Sequence, residues 1–214
     1  MCVICVKEKG VAFPKIEVFE KMWNHNPHGA GFMYARNGKV HIRKGFMDLY
    51  SFLKAIQNEN ITDDEACVMH FRISTQAGIS KEMTHPFPLS DNLEHMEKLS
   101  LGCNIGIAHN GIIMLTSNPL EKRYSDTAIF VANYLTRIIR NPNDIHDAYI
   151  KDIIFRLAQS KLAIMNGNGD IEMIGAFEKQ GELYFSNLYH EPSKFAFYER
   201  TRYGNYYKQK CKSR

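Results

Sequence analysis

An α+β fold is what this sequence predicts, on three observations. Strand-like segments come first, helical patterns follow, and strand-like segments close the chain, which is not the alternation of βαβ units. Asn37-Gly38 sits between two strand-like runs. It is the strongest short hairpin signal, because a type I′ turn needs positive φ at both central residues. Ala128, Val131, Ala132, Leu135, Ile138 and Ile139 keep the i, i+3, i+4, i+7 spacing of a buried helical stripe.

The elements follow in order. Val3–Val6 is apolar and β-branched, and reads as a buried strand that would hold Cys2 at its end. Gly31–Ala35 and Lys39–Lys44 are the arms of the hairpin, and Met47–Asn58 reads as a short helix. Ala66–Ile73 alternates, with Cys67, Met69, Phe71 and Ile73 on one face and Val68, His70, Arg72 and Ser74 on the other. The stretch from Ser74 to Leu101 is polar and broken by Pro86 and Pro88; it reads as loop with a helical turn near Leu93–Leu99. Asn104–His109 is a strand ending in Asn110-Gly111. Ser125 then caps a helix that carries Asp126 in its first turn. A second helix is expected over roughly Ile145–Gln159. Lys161–Asn166, Asp170–Phe177 and Glu182–Phe185 read as one closing antiparallel set, turning at Gly167–Gly169 and Gln180-Gly181.

Composition narrows the classes. The chain has 214 residues, which suits one domain or at most two small ones. It is 44% hydrophobic and 23% charged, enough apolar residue for a sizeable core. No run of about 18 apolar residues exists, so no transmembrane helix and no membrane partner are expected. Lys7, Glu8 and Lys9 interrupt the N-terminus too early for a signal peptide. Five scattered cysteines (Cys2, Cys5, Cys67, Cys103, Cys211) then fit reduced thiols and a cytoplasmic location. A net charge of +4 is by itself no argument for nucleic acid.

Cys2 is the residue with the most chemical content. Once Met1 is removed, one residue carries both a thiol and a free α-amine. Their reference pKa values are about 8.5 and about 7.7–8.0, so both change protonation state near neutral pH. A base beside a nucleophile is how weak nucleophiles are activated.

Further chemistry-bearing segments follow Met1-Cys2. They are His70-Phe71-Arg72-Ile73-Ser74-Thr75, Thr84-His85-Pro86-Phe87, His109-Asn110-Gly111 and Ser125-Asp126-Thr127. Together with Asn26-Pro27-His28-Gly29-Ala30-Gly31 and Tyr184-Phe185-Ser186-Asn187, they make the chain resemble class II glutamine amidotransferases, of the N-terminal nucleophile hydrolase type. The resemblance runs from Cys2 to about Pro192, and assigns residues 1–192 to that domain. It implies a four-layer αββα sandwich, two antiparallel sheets between helices. It also implies hydrolysis of glutamine to glutamate and ammonia, without a cofactor.

The roles follow from the resemblance. Cys2 is the nucleophile and its amine the proton shuttle. The Asn110 side chain and the Gly111 N–H stabilise the oxyanion. Arg72 grips the glutamine α-carboxylate, and Asp126 takes the α-ammonium. His70 and Thr75, on the Arg72 segment, complete the substrate-binding set. Three histidines (His70, His85, His109) invite a metal, but this chemistry needs none, and they are read as structural or as supporting the residues that touch substrate. The chain departs from many relatives at Val3, where Gly is common, at His28, where Asp is common, and at Ala128, where Glu is common. These positions bear on the fine structure of the glutamine pocket and on coupling to a partner.

Other readings stand beside this one. Alone, Arg72 is a structural ion-pair candidate, Asp126 a helix cap and Asn110-Gly111 a turn. Cys2-x-x-Cys5 as a redox pair or half a zinc site lacks a second CxxC, and a strand would point the two thiols to opposite faces. At the level of function, the rivals are a γ-glutamyl amide or peptide hydrolase using the same site, and a non-catalytic binding module. About two dozen residues follow Glu191, too few for a synthetase domain, so an acceptor enzyme in trans is expected. Such a compact, stand-alone form is phage-like. Residues 193–214 form a basic, aromatic extension in which Arg200, Arg202, Lys208, Lys210, Lys212 and Arg214 interleave with Tyr203, Tyr206 and Tyr207. It reads as a solvated tail, with nucleic acid or an acidic partner as the less favoured alternative.

Overall fold

The computed structural model describes residues 2–73, 80–114 and 123–188. The fold is mixed α+β, with two antiparallel sheets. The elements begin β1 (Val3–Lys7), α1 (Ile16–His25), β2 (Ala30–Arg36), β3 (Lys39–Phe46), α2 (Leu49–Glu59) and β4 (Cys67–Phe71). Then come β5 (Phe87–Pro88), α3 (Glu94–Glu97), β6 (Ser100–Cys103) and β7 (Ile105–Asn110). The rest is α4 (Asp126–Phe130), a π-helical turn (Val131–Leu135), α5 (Thr136–Ile138), a 3₁₀ turn (Pro142–His146), α6 (Ala148–Ala158), β8 (Lys161–Asn166), β9 (Ile171–Ile174), β10 (Glu178–Gln180) and β11 (Leu183–Phe185).

The larger sheet runs β10-β11-β1-β4-β2-β3-β6 and the smaller β5-β7-β8-β9. Alternation distributes their side chains over three apolar clusters. Val3, Cys5, Phe32, Met69 and Phe71 pack against Phe19 and Met22 of α1 and Phe52 of α2. Ile4, Val6, Met33, Ile42 and Val68 point the other way, where they meet Ala108, Ala163 and Met165 of the smaller sheet. Ile105, Ile107, Leu162 and Ile164 cover the far face of that sheet against Phe130, Leu135 and Ile154. The inward positions of β7 are small. A Cβ on Gly106 would stand 2.5 Å from Met33 Sδ, so glycine there lets β7 approach the larger sheet.

Most expected elements are present. Asn37 and Gly38 have φ of 53° and 72°, and β2 and β3 pair across them. The Ser125 side chain accepts from the Ala128 N–H and so caps α4. Both faces of β4 are buried, because the face carrying His70 meets the second sheet instead of solvent.

Three expectations change. The closing strands do not form one set: β8 and β9 pair in the smaller sheet, while β10 and β11 form a hairpin that joins β1 in the larger one. The expected helix at 145–159 starts later, at Ala148, because Asp147 caps it and Pro142–His146 turns as 3₁₀. The expected loop after β4 holds the helical turn expected near Leu93–Leu99, as α3, and in addition β5 and the start of β6. Helix α1 was not expected from any cap signal, since Lys15 offers no side-chain cap. Its spacing was available, with Val18, Phe19, Met22 and Trp23 facing the core. The boundary at 192 and the basic extension lie outside the described residues. Among the described residues, no helix is long and apolar enough to cross a membrane.

Phe52 anchors the helix-side cluster, with ring centroids 4.9 Å from Phe71, 5.7 Å from Phe32 and 6.0 Å from Phe19. Phe52→Ala should cost about 3–5 kcal/mol, the usual range for a buried Phe. That corresponds to a Tm lower by about 6–20 °C for a chain of this size. Tyr50→Ala, at a residue 73% exposed, should change stability by less than about 0.5 kcal/mol. Thermal or urea unfolding of the two variants checks both.

Candidate active site

Four segments converge at one end of the space between the sheets. Cys2 precedes Val3, which pairs with Phe71, so the thiol lies beside the residues that follow β4. Its Sγ is 3.4 Å from the Ile73 N–H and 3.6 Å from the Ile73 carbonyl. Alternation along β1 places Cys2 on the same side as Ile4 and Val6, facing the smaller sheet, and opposite to Cys5. Asn110 ends β7 on the side of Gly106 and Ala108, so it comes from the opposing sheet.

Burial raises the Cys2 thiol above its ordinary value, while the Ile73 backbone and Arg72 pull it partly back. The neutral thiol is therefore the resting form. Cys5 and Cys67 are buried, and burial pushes Cys67 up to about 12.

Arg72 is only 8% exposed. Its backbone is held against the Gly29 region, with Arg72 N–H on Gly29 O at 2.8 Å and His28 N–H on Arg72 O at 2.9 Å. Its guanidinium donates to Ser80 O at 3.3 Å. Burial lowers its pKa, and the negative charge available at Cys2 and Asp126 raises it. Arg72 thus lies in the fields of both groups. Asp126 accepts from the backbone N–H of Ile113 and of Thr127, each at 2.7 Å, so its carboxylate also ties down the chain after Gly111.

Asn110 is 4% exposed, and its Nδ2 lies 2.8 Å from Ser186 Oγ. Its Oδ1 is buried with no hydrogen-bond partner among the described residues. Ser186 also accepts from the Ile4 N–H at 2.9 Å and donates its own N–H to Ile4 O at 2.9 Å. Next to it, Asn187 Nδ2 donates to the Cys2 carbonyl at 2.6 Å. Gly111 has φ of 155°, and a Cβ there would lie 2.5 Å from Ser160 Cβ. Only glycine fits that close approach.

His70, His85 and His109 form a buried stack, with centroids 4.4 Å and 6.2 Å apart. His70 Nε2 lies 3.1 Å from His109 O, and His85 Nδ1 accepts the His109 N–H at 3.1 Å. The His109 ring spans Thr127 Oγ1 at 2.8 Å and Ser160 Oγ at 2.7 Å. The stack therefore fastens β4, the His85 segment, β7 and α4 together. The His85 segment is held further by Lys44, whose Nζ donates to Glu82 O and Met96 O over the Phe87 ring. Among the described residues, no group of three or more His, Cys, Asp or Glu is placed to hold a metal.

The structure brings Cys2, Arg72, Asn110, Gly111 and Asp126 to one region, with His70 beneath them in the stack. Thr75 lies outside the described residues. The roles of Ser186 and Asn187 in holding Asn110 and Cys2 were not anticipated, although both lie in a quoted segment. Their only sequence signal is a polar pair directly after an apolar strand. A scan against protein-family models gives no match, and no curated protein matches the chain.

Burial moves all three histidines below their ordinary value of 6.5, His70 to about 3 and His109 to about 4. The unfolded chain binds protons near pH 6.5 that the folded chain refuses. Stability should thus be full above about pH 6.5 and fall as pH drops from there towards 4, by about 1.4 kcal/mol per pH unit for each histidine involved. Urea unfolding between pH 8 and 4.5 measures the slope. Replacing His85 with Gln should lower the slope by one histidine's share, about 1.4 kcal/mol per pH unit.

Proposed function

We propose that this protein is a class II glutamine amidotransferase domain, an N-terminal nucleophile hydrolase with the four-layer αββα sandwich. One observation carries the proposal: Cys2 stands at the end of a central strand, next to a buried arginine, and that strand is joined through Ser186 to Asn110 of the opposing sheet. The order of the three apolar clusters, helix to sheet, sheet to sheet, sheet to helix, supports the layering.

The mechanism begins with removal of Met1, which frees the Cys2 amine. The amine takes the thiol proton as sulfur attacks the glutamine side-chain carbonyl. A base at hand is needed because the thiolate, not the thiol, is the nucleophile. The C=O electrons move onto oxygen, and Asn110 and the Gly111 N–H stabilise that oxyanion. The C–N bond breaks, the amine returns its proton, and ammonia leaves a thioester. Water then releases glutamate by the reverse sequence. Arg72 suits the α-carboxylate because a guanidinium can bind it with two parallel hydrogen bonds. Asp126 is the facing anion for the α-ammonium. An acceptor enzyme in trans consumes the ammonia.

The site should fail in distinct ways. Cys2→Ser should abolish turnover with the fold intact, because an alcohol is far less acidic than a thiol. Asn110→Ala should lower kcat by about 10²–10³ with a smaller change in KM. Arg72→Ala should act mainly on KM, because the carboxylate is gripped in ground and transition states alike. Steady-state glutaminase assays separate the two, and identical changes in both parameters would refute the assignment. Intact-mass measurement of the active protein should show a Cys2 N-terminus; retained Met1 would instead favour a binding module. A panel of γ-glutamyl amides tests the alternative substrate class. An electrophilic glutamine analogue should label Cys2 and spare Cys5 and Cys67.

A further inference from the structure

We propose that the Ser186 hydroxyl is a positioning group that turns the Asn110 side-chain amide so that its NH₂ faces the cleft. The inference rests on the glutamine-hydrolysis reading, and concerns how the oxyanion donor is made available.

The argument is a count of protons and lone pairs. A serine hydroxyl has one proton and two lone pairs. One lone pair of Ser186 is taken by the Ile4 N–H at 2.9 Å, which can only donate. With Asn110 Nδ2 at 2.8 Å donating to the second, the Ser186 proton has no acceptor among the described residues. At the same time Asn110 Oδ1 is buried without a partner. Such unpaired buried groups are unusual and costly.

Rotating the amide by half a turn about Cβ–Cγ exchanges Oδ1 and Nδ2 and moves no other residue. Oδ1 then accepts the Ser186 proton, and the two described defects are exchanged for one, an NH₂ whose donors lack a partner until a substrate oxygen supplies it. The NH₂ takes the place of the unpaired oxygen, and its two donors are free for a substrate oxygen. The opposite orientation would face a developing oxyanion with a carbonyl oxygen and repel it. Ser186 is itself fixed, because its backbone N–H donates to Ile4 O and its carbonyl accepts from Lys161 Nζ. The strand that carries the nucleophile thereby sets the orientation of the group opposite it.

The test compares wild type with Ser186→Ala, Ser186→Thr, Asn110→Ala and the double variant Ser186→Ala/Asn110→Ala. Glutamine turnover is measured beside alkylation of Cys2 by iodoacetamide, a displacement at saturated carbon that forms no oxyanion. Ser186→Ala should lose about 10- to 100-fold in kcat, below the 10²–10³ of outright donor loss. Its KM should stay within threefold and its alkylation rate within twofold. Ser186→Thr, which keeps the hydroxyl, should recover most of the rate, and the double variant should be no slower than Asn110→Ala. Wild-type kcat in Ser186→Ala, multiplicative losses in the double variant, or alkylation slowed in step with turnover would each overturn the proposal. A neutron crystal structure of the wild-type protein is the activity-independent arm. Two deuterons on the amide atom turned away from Ser186, with the Ser186 O–D pointing at the other amide atom, support the proposal; two deuterons on the amide atom that faces Ser186 overturn it. If glutamine is not hydrolysed at all, the functional reading fails, while the neutron arm still decides the orientation.

Discussion

Strand β1 has partners on both edges and cores on both faces, so its register sets where every candidate residue stands. Val3 opposes Phe71, Cys5 opposes both Met69 and Phe185, and Ile4 is bracketed by Ser186. A slip of one residue would turn Cys2 towards the helices and put Val3 and Cys5 between the sheets. The clusters resist that slip. Ile4 and Val6 meet the second sheet, while Val3 and Cys5 meet Phe19 and Met22. The thiol is held in place by apolar packing that begins one residue away from it.

The surroundings of the half-buried thiol are packed and polar at once. Burial raises Cys2, lowers Arg72 and keeps the three histidines neutral, each by disfavouring a charge. In such a medium, oriented hydrogen-bond donors are worth more than in water. The neutral histidine stack suits this. It joins β4, β7 and the His85 segment by hydrogen bonds without adding a further positive charge near Arg72. The cost is stability in acid, where those rings would otherwise take protons.

Legibility in the sequence followed the range of the interaction. Asn37-Gly38 was readable because a turn is decided by two residues. The α4 cap was readable because Ser125 reaches Ala128, three residues on. The faces of β4 were readable from alternation, though not that His70 and Arg72 would be buried, since that needs a second sheet laid over them. The closing strands were misjoined for a related reason. Patterns at 161–185 show strands and turns, but not that β11 finds the free edge of β1 while β9 stays on β8.

What the sequence by itself determined is local: the α+β class, the hairpin, the capped helix, the alternation of β1 and β4, and the residue types able to do nucleophilic chemistry. The tertiary structure alone decided which of these residues meet. Ile4 and Ser186 bond across 182 positions, and Asn110 and Ser186 across 76. Contacts of that span are chosen by which strand edges remain unpaired and which faces remain apolar once the chain has collapsed. No window of sequence carries that information, because it belongs to pairs of strands and not to either one.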